Sequence, residues 1–591
     1  MRGIQPYRKL WHMSSVWAPL VYWNYIDRAT ALPIGLGVLV FLLMLDMFRL
    51  ALPVGNEMAY RWFSAVISEG ERRNLNTSTY FVIGVYLALI FYEKRIAVTA
   101  MMFLSLGDPM GALIGSKYGS IKLLGKSLQG SAAVFFTCFI IGSFMLNPTI
   151  AFWGALCATL FELISSRIND NISIPLFSGL AMTLLTKNAS IESPLEYAFI
   201  VFDVYLVFIV VTSIVGQIFK HYMIWTYRAE MRRKAREAPD AGAPSVTVLK
   251  PLRGTAPGLR RDLTSFFEQD YPGHVQIVFV TGSESDPATT LARELVLAHP
   301  EVDAQVLVRA EPGRHHDRVE NLIAGLAAAT GDVIVMSDAP VDAAPHLLSE
   351  AVARLGDDQV GIVTAVQALT GARNLTAALN AQVINTLTSA TYYPTAFFGK
   401  VNTATSAFLA IRRSVLDEVG GLERFADHIA DHHALAQAVL KAGYRILLLP
   451  DPVHVTLERL ERRTWLQVTH RMNVTLRAYK PNYYPLFLFQ CGFFHATLAA
   501  MIHPHAPWAW LLFASSLGTE ILSYLLYEGF AVRRLPRLWA LPFFPLLQLA
   551  APFAWASPFF GRVVYWRDAR YFIDRGGIAL PLPDARERAS T

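Results

Sequence analysis

The sequence predicts a polytopic α-helical membrane domain, then an α/β domain on a mostly parallel sheet, then C-terminal transmembrane helices. Three observations predict this. First, 53% of the 591 residues are hydrophobic and 17% are charged, with a mean hydropathy of +0.34; soluble domains carry about 25% charged residues. Second, long apolar runs cluster at both ends of the chain. Third, the stretch between them alternates short β-branched runs with helical patterns. The composition excludes a disordered chain, a coiled coil and a fully soluble enzyme. The charge balance, 52 basic against 46 acidic residues, gives +6. Spread over this length, that excess does not predict nucleic-acid binding; basic loops facing an anionic leaflet account for it.

The N-terminus, MRGIQPYRKLWH, has no short apolar stretch with a cleavage site, so no cleaved signal peptide is expected. Apolar runs lie near 14–26, 31–52, 80–105, 131–160, 173–186 and 197–222. Several can cross the ~30 Å hydrocarbon layer, which gives about six to eight spans before residue 225. The run at 80–105 is interrupted by Glu93, Lys94 and Arg95. Three further spans are expected near 483–502, 507–528 and 537–560. The expected divisions are therefore 1–192, a leading helix at 193–225, an α/β domain at 226–480 and an anchor at 481–591. After residue 225, Arg228, Arg232, Arg233, Lys234 and Arg236 form a basic collar before an Ala/Pro/Gly linker. Such a collar favours a cytoplasmic position. Cys138, Cys157 and Cys491 lie far apart in apolar runs and predict neither a disulfide nor a zinc site.

In the middle region, VTVLK (246–250), VQIVFV (275–280), DVIVMS (332–337) and VGIVTAV (360–366) read as strands. LRRDLTSFFEQ (259–269), TTLARELVLAH (289–299) and DRVENLIAGLAAA (317–329) read as helices between them. This βαβ rhythm predicts helices on both faces of the sheet and a ligand beyond the carboxyl ends of the strands. Those ends carry Lys250-Pro251, then Glu284 and Asp286, then Asp338. A carboxylate there can hold Mg²⁺ or Mn²⁺ against a diphosphate; a helix cap or turn is the alternative for any one of them. Asp431 and His432, with His433, open a later helical run and offer a general base for an acceptor hydroxyl, or a capping cluster.

Residues ~200–580 resemble ceramide glucosyltransferase and its bacterial, hopanoid-type relatives. The resemblance runs from VTVLKPLRGTAPGLRRDLTSFFEQDYP through SDPA, ENLIAG, VIVMSDAPV, FLAIRRSVLDEVGGLERFADHIADHHALAQAVLKAGYRI and LQVTHRMNVTLR to WRDARYFIDRGG. It implies a GT-A fold and inverting transfer from a UDP-sugar to the hydroxyl of a ceramide-, hopanoid- or diacylglycerol-type lipid. Asp338 matches the metal- and diphosphate-contacting aspartate, and Lys250 and Pro251 the nucleotide-binding first strand end. The sequence departs from the pattern at three places. Gly282-Ser283-Glu284 stands where the family has an aspartate. The usual catalytic aspartate falls on His432, with Asp431 beside it. The Q/R-x-x-R-W motif appears as Gln467-Val468-Thr469-His470-Arg471.

The N-terminal part holds ionisable residues inside or beside apolar runs, which are functional candidates because they are costly there. Arg8, Lys9 and His12 open it, followed by Glu69 and Arg72. Asp108 then sits among Gly107, Gly111, Gly115 and Gly119. Lys117, Lys122 and Lys126 follow, and then Glu162, Asp170 and Asn171. Acids for Mg²⁺ and lysines for a polyphosphate suggest a phosphate site. The glycine spacing alone favours helix packing, and the Gly119–Ser127 stretch is not a Walker A loop. In order and identity these motifs resemble the CTP-dependent lipid kinases of dolichol, phytol and diacylglycerol. The resemblance implies phosphate transfer from CTP to a lipid alcohol at the cytoplasmic face, with Asp108 in the catalytic and metal-holding position. The two resemblances imply a bifunctional integral membrane enzyme whose partners are nucleotides, an acceptor lipid and the bilayer. The alternative is an active lipid kinase joined to a degenerate glycosyltransferase-like binding module.

Overall fold

The computed structural model describes residues 12–51, 75–120, 122–123, 126–164, 169–187, 194–237, 242–309, 317–481, 484–534, 537–566 and 569–582. The chain divides into two compact units, Met1–Ile214 with Asn482–Ser516, and Val215–Pro481 with Leu517–Thr591. These units cut the chain differently from the hydropathy divisions, because the first helix after the α/β region groups with the N-terminal helices.

Among the described residues, six helices are long and apolar enough to cross a membrane: Arg28–Leu50, Lys94–Tyr118, Leu128–Met145, Phe199–Lys234, Pro507–Val532 and Leu538–Phe560. Thr77–Phe91, Pro148–Ile164 and Gly492–Ile502 are apolar but shorter. Among the described residues there are thus fewer full-length spans than the apolar runs suggested. The charged Glu93-Lys94 junction splits one run into two helices, and Gly492 starts late in another.

Glycines set the packing of the first unit. A Cβ on Gly111 would lie 2.4 Å from the Val134 side chain, and one on Gly115 would lie 2.5 Å from Ser127 Oγ. The small-residue ridge therefore seats the helix Asp108–Tyr118 against the helix Leu128–Met145, as its spacing suggested. A short hairpin, β1 (Lys122–Leu123) and β2 (Lys126–Ser127), links the two helices. One π-helical turn, Phe103–Gly107, immediately precedes Asp108; such turns re-aim the residue that follows and recur at functional sites. Elsewhere a Cβ on Gly84 would meet the backbone oxygen of Asn171 at 2.0 Å.

The second unit is built on a seven-stranded sheet. Its strands are β3 (Val246–Pro251), β4 (Val275–Thr281), β5 (Asp303–Val308), β6 (Val333–Met336), β8 (Val360–Ala365), β10 (Phe408–Arg412) and β11 (Arg445–Leu448), in the order β11-β8-β10-β6-β3-β4-β5. All pairs are parallel except those of β10, which runs antiparallel to both β6 and β8. Alternation decides the two faces. Ile277 and Phe279 pack with Leu263, Phe266 and Leu348 on one side, while Val278 and Val280 pack with Leu322, Tyr393 and Val439 on the other. Strands β7 (Val341–Asp342), β9 (Gln367–Thr370) and β12 (Val453–Thr456) form a small second sheet. A third comprises β13 (Val563–Trp566), β14 (Ala569–Ile573) and β15 (Ala579–Leu582).

The leading helix does not stop at residue 225. It runs unbroken from Pro194 to Glu237. Two collar arginines also fold inward: Arg228 is buried with its guanidinium 2.5 Å from Asp451 Oδ1, and Arg232 lies 2.6 Å from the same oxygen. They clamp this helix to the loop after β11 instead of facing a leaflet. Lower on the same helix, Gln217 donates to Glu520 Oε1 at 3.1 Å, His221 meets Ser523 Oγ at 2.8 Å, and Lys220 donates to the Thr386 carbonyl at 3.1 Å.

The close approach at Gly84 predicts that Gly84→Ala forces helices Thr77–Phe91 and Asp170–Lys187 apart, at a cost of about 1–3 kcal/mol. Gly37 has nothing within 4 Å of its Cβ direction. Thermal unfolding of the purified protein in detergent should show a lower Tm for Gly84→Ala and none for Gly37→Ala; equal values would contradict this packing.

Candidate active sites

In the second unit, the carboxyl ends of β3, β4 and β6 lie near a partly buried arginine that the sequence motifs did not single out. Arg318, in the first turn of the helix Asp317–Ala327, donates from Nε to Asp338 Oδ1 at 2.7 Å and from NH1 to Asp431 Oδ2 at 2.7 Å. Its side chain is only 15% exposed, with Asp338 at 28% and Asp431 at 12%. Burial alone would lower the guanidinium pKa, but Asp431 and Asp338 outweigh it and raise it. Arg318 therefore joins Asp338 to Asp431, which are 93 residues apart in sequence (431 − 338).

Each partner is positioned by local structure. Asp338 follows β6, where Ser337 Oγ donates to the Ala407 carbonyl at 3.0 Å. Lys250 lies under it, fully buried, and donates to the Asp338 carbonyl at 2.7 Å with its ammonium 4.0 Å from the centre of the Phe266 ring. Burial pushes Lys250 down to about 7, against the opposing fields of Asp338 and Asp262. Lys250 supports the loop from beneath and is not at the site surface where a nucleotide would touch it. Pro251 ends β3 beside Val280. Buried Asn321 donates to the Val280 carbonyl at 3.1 Å, tying the helix of Arg318 to the end of β4.

Asp286 caps the helix Pro287–Ala298, accepting from Ala288 N at 2.8 Å and from Gly254 N at 2.8 Å. It thereby fixes the loop after β3, where Gly254 adopts φ +64°. Glu284 is exposed and pairs with Arg293 at 2.8 Å. Neither acid joins the Arg318 cluster through any described contact. Asp431 opens the helix Asp431–Lys441, and its Oδ1 lies 3.5 Å from His432 Nδ1. His433 turns away to Thr403 Oγ1 at 2.8 Å and packs on the Tyr479 ring, 4.4 Å between centres.

Gln467, His470 and Arg471 lie on the helix Arg462–Tyr479. His470 Nδ1 meets Ser557 Oγ at 2.9 Å, and the Arg471 guanidinium lies over the Trp566 ring at 4.4 Å. An indole from β13 thus covers the arginine in the motif that lacks its own aromatic. The same helix buttresses the loop before Asp431, since Val474 packs with Ile429 and Ala430.

In the first unit, the helix packing gathers five of the sequence candidates. His12 Nδ1 lies 3.6 Å from Asp108 Oδ2. Lys126 Nζ lies 2.5 Å from Glu162 Oε1 and 3.6 Å from Asp170 Oδ2, and it donates to the Glu162 carbonyl at 2.7 Å. Burial would lower the Lys126 ammonium, but Glu162 and Asp170 outweigh it, with Asp108 adding to their field, and they raise it. Asn171, next to Asp170, is buried and donates to Asn169 Oδ1 at 2.6 Å. Lys117 points away, exposed beside Tyr118. Arg8, Lys9, Glu69 and Arg72, and the side chain of Lys122, lie outside the described residues.

No group of three or more His, Cys, Asp or Glu side chains that could hold a metal occurs among the described residues. Mg²⁺, however, is commonly held by one or two carboxylates with substrate phosphates supplying the rest. Asp338, at the open strand edge, fits that role, and Asp108 beside Lys126 fits it in the first unit.

The mixed seven-stranded sheet, with Asp338 at the carboxyl end of an interior strand, is a GT-A-type α/β fold, accompanied by helices long and apolar enough to cross a membrane. The chain belongs to glycosyl transferase family 21, which it matches over residues 205–579. It is 27% identical over 215 residues to ceramide glucosyltransferase 1 of Caenorhabditis elegans, which covers 36% of this chain and 46% of that protein. The chain thus spans about half the length of that relative. Its N-terminal part is homologous to CTP-dependent lipid kinases: it is 26% identical over 211 residues to CTP-dependent diacylglycerol kinase 1 of Saccharomyces cerevisiae, covering 30% of this chain and 73% of the kinase. Among solved structures, a mannosyltransferase from Pyrobaculum calidifontis in complex with GDP-Man and Mn²⁺ matches with 22% identity and a TM-score of 0.34, over 59% of this chain and 97% of that one.

Two predictions follow from the charges. Arg318→Ala leaves two carboxylates facing each other without their shared cation and should cost about 3–5 kcal/mol, read as a lower Tm; Arg318→Lys, which cannot fork to both acids, should fall between. His433 is pushed down to about 4 by burial first, then by His432, Lys480 and His428. An unfolded imidazole titrates near ~6.5. The unfolded chain therefore binds one more proton between these values, so stability falls as pH drops through that window. Thermal scans from pH 7 to 4 should show the wild type losing stability relative to His433→Gln, which cannot titrate; parallel curves would refute the assignment.

Proposed function

We propose that the chain is a two-activity enzyme of membrane lipids. Its C-terminal part transfers a sugar from a UDP-sugar to a lipid hydroxyl with inversion. Its N-terminal part phosphorylates a lipid alcohol from CTP, and both sites face the cytoplasm. The observation that carries the transferase reading is the Arg318 bridge, which holds a diphosphate-side and an acceptor-side carboxylate on one cation.

The chemistry follows from that arrangement. Inversion requires the acceptor oxygen to attack the sugar C1 from the face opposite the leaving diphosphate. His432, on the acceptor side, takes the hydroxyl proton, and Asp431 stabilises the imidazolium as it forms. Arg318, shared by Asp338 and Asp431, holds the two sides in register and offsets part of the carboxylates' repulsion of the diphosphate. A divalent cation held by Asp338 would neutralise the departing UDP.

In the first unit, Lys126 is charged and half-buried, poised to neutralise the CTP phosphates. Asp108, beside His12, would hold a cation or take the proton of the lipid alcohol. A second reading, in which the transferase domain binds without catalysing, is favoured by one observation. Both carboxylates are already committed to Arg318, and the usual base position holds an imidazole.

Radiolabelled UDP-sugar and the full-length protein in lipid vesicles separate the two readings. Label in extractable lipid supports transfer. In that assay His432→Ala should lower kcat by about 10²–10⁴ while UDP-sugar binding persists, and Asp338→Asn should weaken UDP-sugar binding itself. Binding of UDP-sugar with no labelled lipid from any acceptor would leave the binding-module reading. Separately, Asp108→Asn should abolish CTP-dependent lipid phosphorylation without altering sugar transfer; retained kinase activity would remove Asp108 from the reaction.

A further inference from the structure

The apolar helix Leu538–Phe560 is long enough to cross a membrane, yet both of its ends rest on the α/β domain. At its start, Ala540 and Phe544 pack with Ala377 and Ala378 of the helix Leu375–Gln382, and Leu457 and Leu460 pack against them. At its end, Ser557 Oγ meets His470 Nδ1 at 2.9 Å, and Arg477 donates to the Pro558 carbonyl with its guanidinium 4.0 Å from the Phe559 ring. We propose that this helix lies in the plane of the membrane surface and does not cross it. Its outer face is seated in the lipid of the leaflet beneath the α/β domain, and the segment after it stays on that domain's side.

Three observations carry this topology. First, the helix runs beside one that cannot enter hydrocarbon. The neighbour is Arg462–Tyr479. Asn374 holds its start by donating to the Leu460 carbonyl at 3.0 Å, and near its end Val474 packs on Ile429 and Ala430. The two helices run in the same direction, with Leu460 near the start of both and Arg477 near the end of both. The neighbour carries Arg462, Arg463, Arg471 and Arg477, spread over about four turns. Arginines are costly in the bilayer core, so a helix laid along them stays at the surface with them.

Second, the chain returns to the α/β domain at once. Val564 packs with Val474 and Ile429. Ile429 N donates to the Gly577 carbonyl at 3.0 Å, and Ala579 N donates to the Asp427 carbonyl at 2.8 Å. A crossing helix would carry these residues to the opposite side of the bilayer, away from their partners.

Third, the helix has the surface that a leaflet takes. No charged residue occurs between Leu538 and Phe560. Phe544, Leu547 and Pro558 are buried, while Phe543, Leu546, Phe553 and Phe560 are exposed, at steps of three and seven residues that form one stripe. Lipid is already at hand: Gln548 donates to Glu520 Oε2 at 3.4 Å, and the Phe544 ring packs edge-on against Tyr524, both partners lying on the apolar helix Pro507–Val532. Basic residues concentrate on one side of a membrane, and here they flank both ends: Arg533, Arg534 and Arg537 before the helix, Arg562 after it.

On the glycosyltransferase reading above, the platform holds the loop before Asp431 at the leaflet surface. A lipid hydroxyl there meets His432 with its tails still in the bilayer. The topology itself does not depend on that reading.

The test uses the full-length protein in sealed membrane vesicles of one orientation. The background is Cys491→Ser, since Cys138 and Cys157 are buried. A membrane-impermeant maleimide should label Ala298→Cys, on the exposed end of an α/β-domain helix, from the same side as Arg534→Cys and Gly561→Cys. Gly561 is extended with nothing within 4 Å of its Cβ direction, so a side chain fits there. Labelling of Gly561→Cys only from the side opposite Ala298→Cys would overturn the proposal. A protease-cleavable tag at the C-terminus of the unaltered chain answers the same question where a variant fails to fold: cleavage from the α/β-domain side supports the proposal, and cleavage from the other side refutes it. Spin labels on Leu546→Cys, Phe553→Cys and Phe560→Cys should report equal depths, about 5–10 Å below the headgroups. Successive labels differing in depth by about 10 Å, as seven residues of a crossing helix dictate, would refute it, as would labels reached only by an aqueous relaxant. These readouts do not involve sugar transfer, so an inactive protein with this topology counts against the transferase reading alone.

Discussion

The candidate site of the second unit depends on one partly buried guanidinium, that of Arg318. Two carboxylates converging on an open strand edge repel each other, and each loses hydration as the edge folds. Arg318 resolves this with a forked donor, giving Nε to Asp338 and NH1 to Asp431. A lysine, a point charge on a flexible stem, could not satisfy both at the same geometry. The end of β6 and the start of the helix Asp431–Lys441 are thereby fixed relative to each other, which a sugar–diphosphate cleft requires of its two walls. Lys250 acts from below: its ammonium holds the Asp338 carbonyl, so the acid is oriented through its backbone as well as its side chain.

The first unit meets the same constraint with close-packed helices and one short hairpin. Its charged residues are costly at membrane depth, and they are accommodated where helices approach closely enough to pair them. The glycine ridge brings the helix carrying Asp108 against the helix that follows the Lys126 hairpin. The helices of Glu162 and Asp170 then complete the cluster around Lys126. The glycines and the ions are two halves of one device: small residues allow the approach, and the approach allows the pairing. In the second unit, Gln217, Glu520 and Ser523 show the polar version, fixing the register of helices that have no hydrophobic drive to associate in lipid.

Much of this was legible in the sequence, for reasons of period and composition. Strands β3, β4, β6 and β8 are β-branched runs bounded by turn residues, and their parallel pairing follows from the helices between them. Membership in family 21 and kinase homology were carried by ordered motifs. What escaped was long-range. Nothing in DRVENL marks Arg318 as a bridge, because its partners lie 20 and 113 residues away (338 − 318 and 431 − 318). The antiparallel β10 was hidden because period-2 alternation carries no direction. Lys250 sits in the expected motif but beneath the surface, because a strand end shows which residue comes next and not which face it takes. Arg228 and Arg232 read as a collar until Asp451, more than 200 residues on, claimed both.

The imidazole at position 432 is consistent with this electrostatic design. A carboxylate base becomes neutral when it takes a proton, so it gives up whatever charge partner held it. An imidazole base becomes cationic, and the new charge needs a neighbour. In the proposed transfer Asp431 supplies it: the carboxylate lies 3.5 Å from Nδ1 and is itself paired with Arg318. Proton transfer to His432 would thus create a cation beside an anion, in a partly buried site where their attraction is stronger than in bulk water. The arginine that occupies Asp431 therefore need not silence the site. In the proposed transfer it leaves Asp431 the standing charge and the moving proton to the histidine beside it.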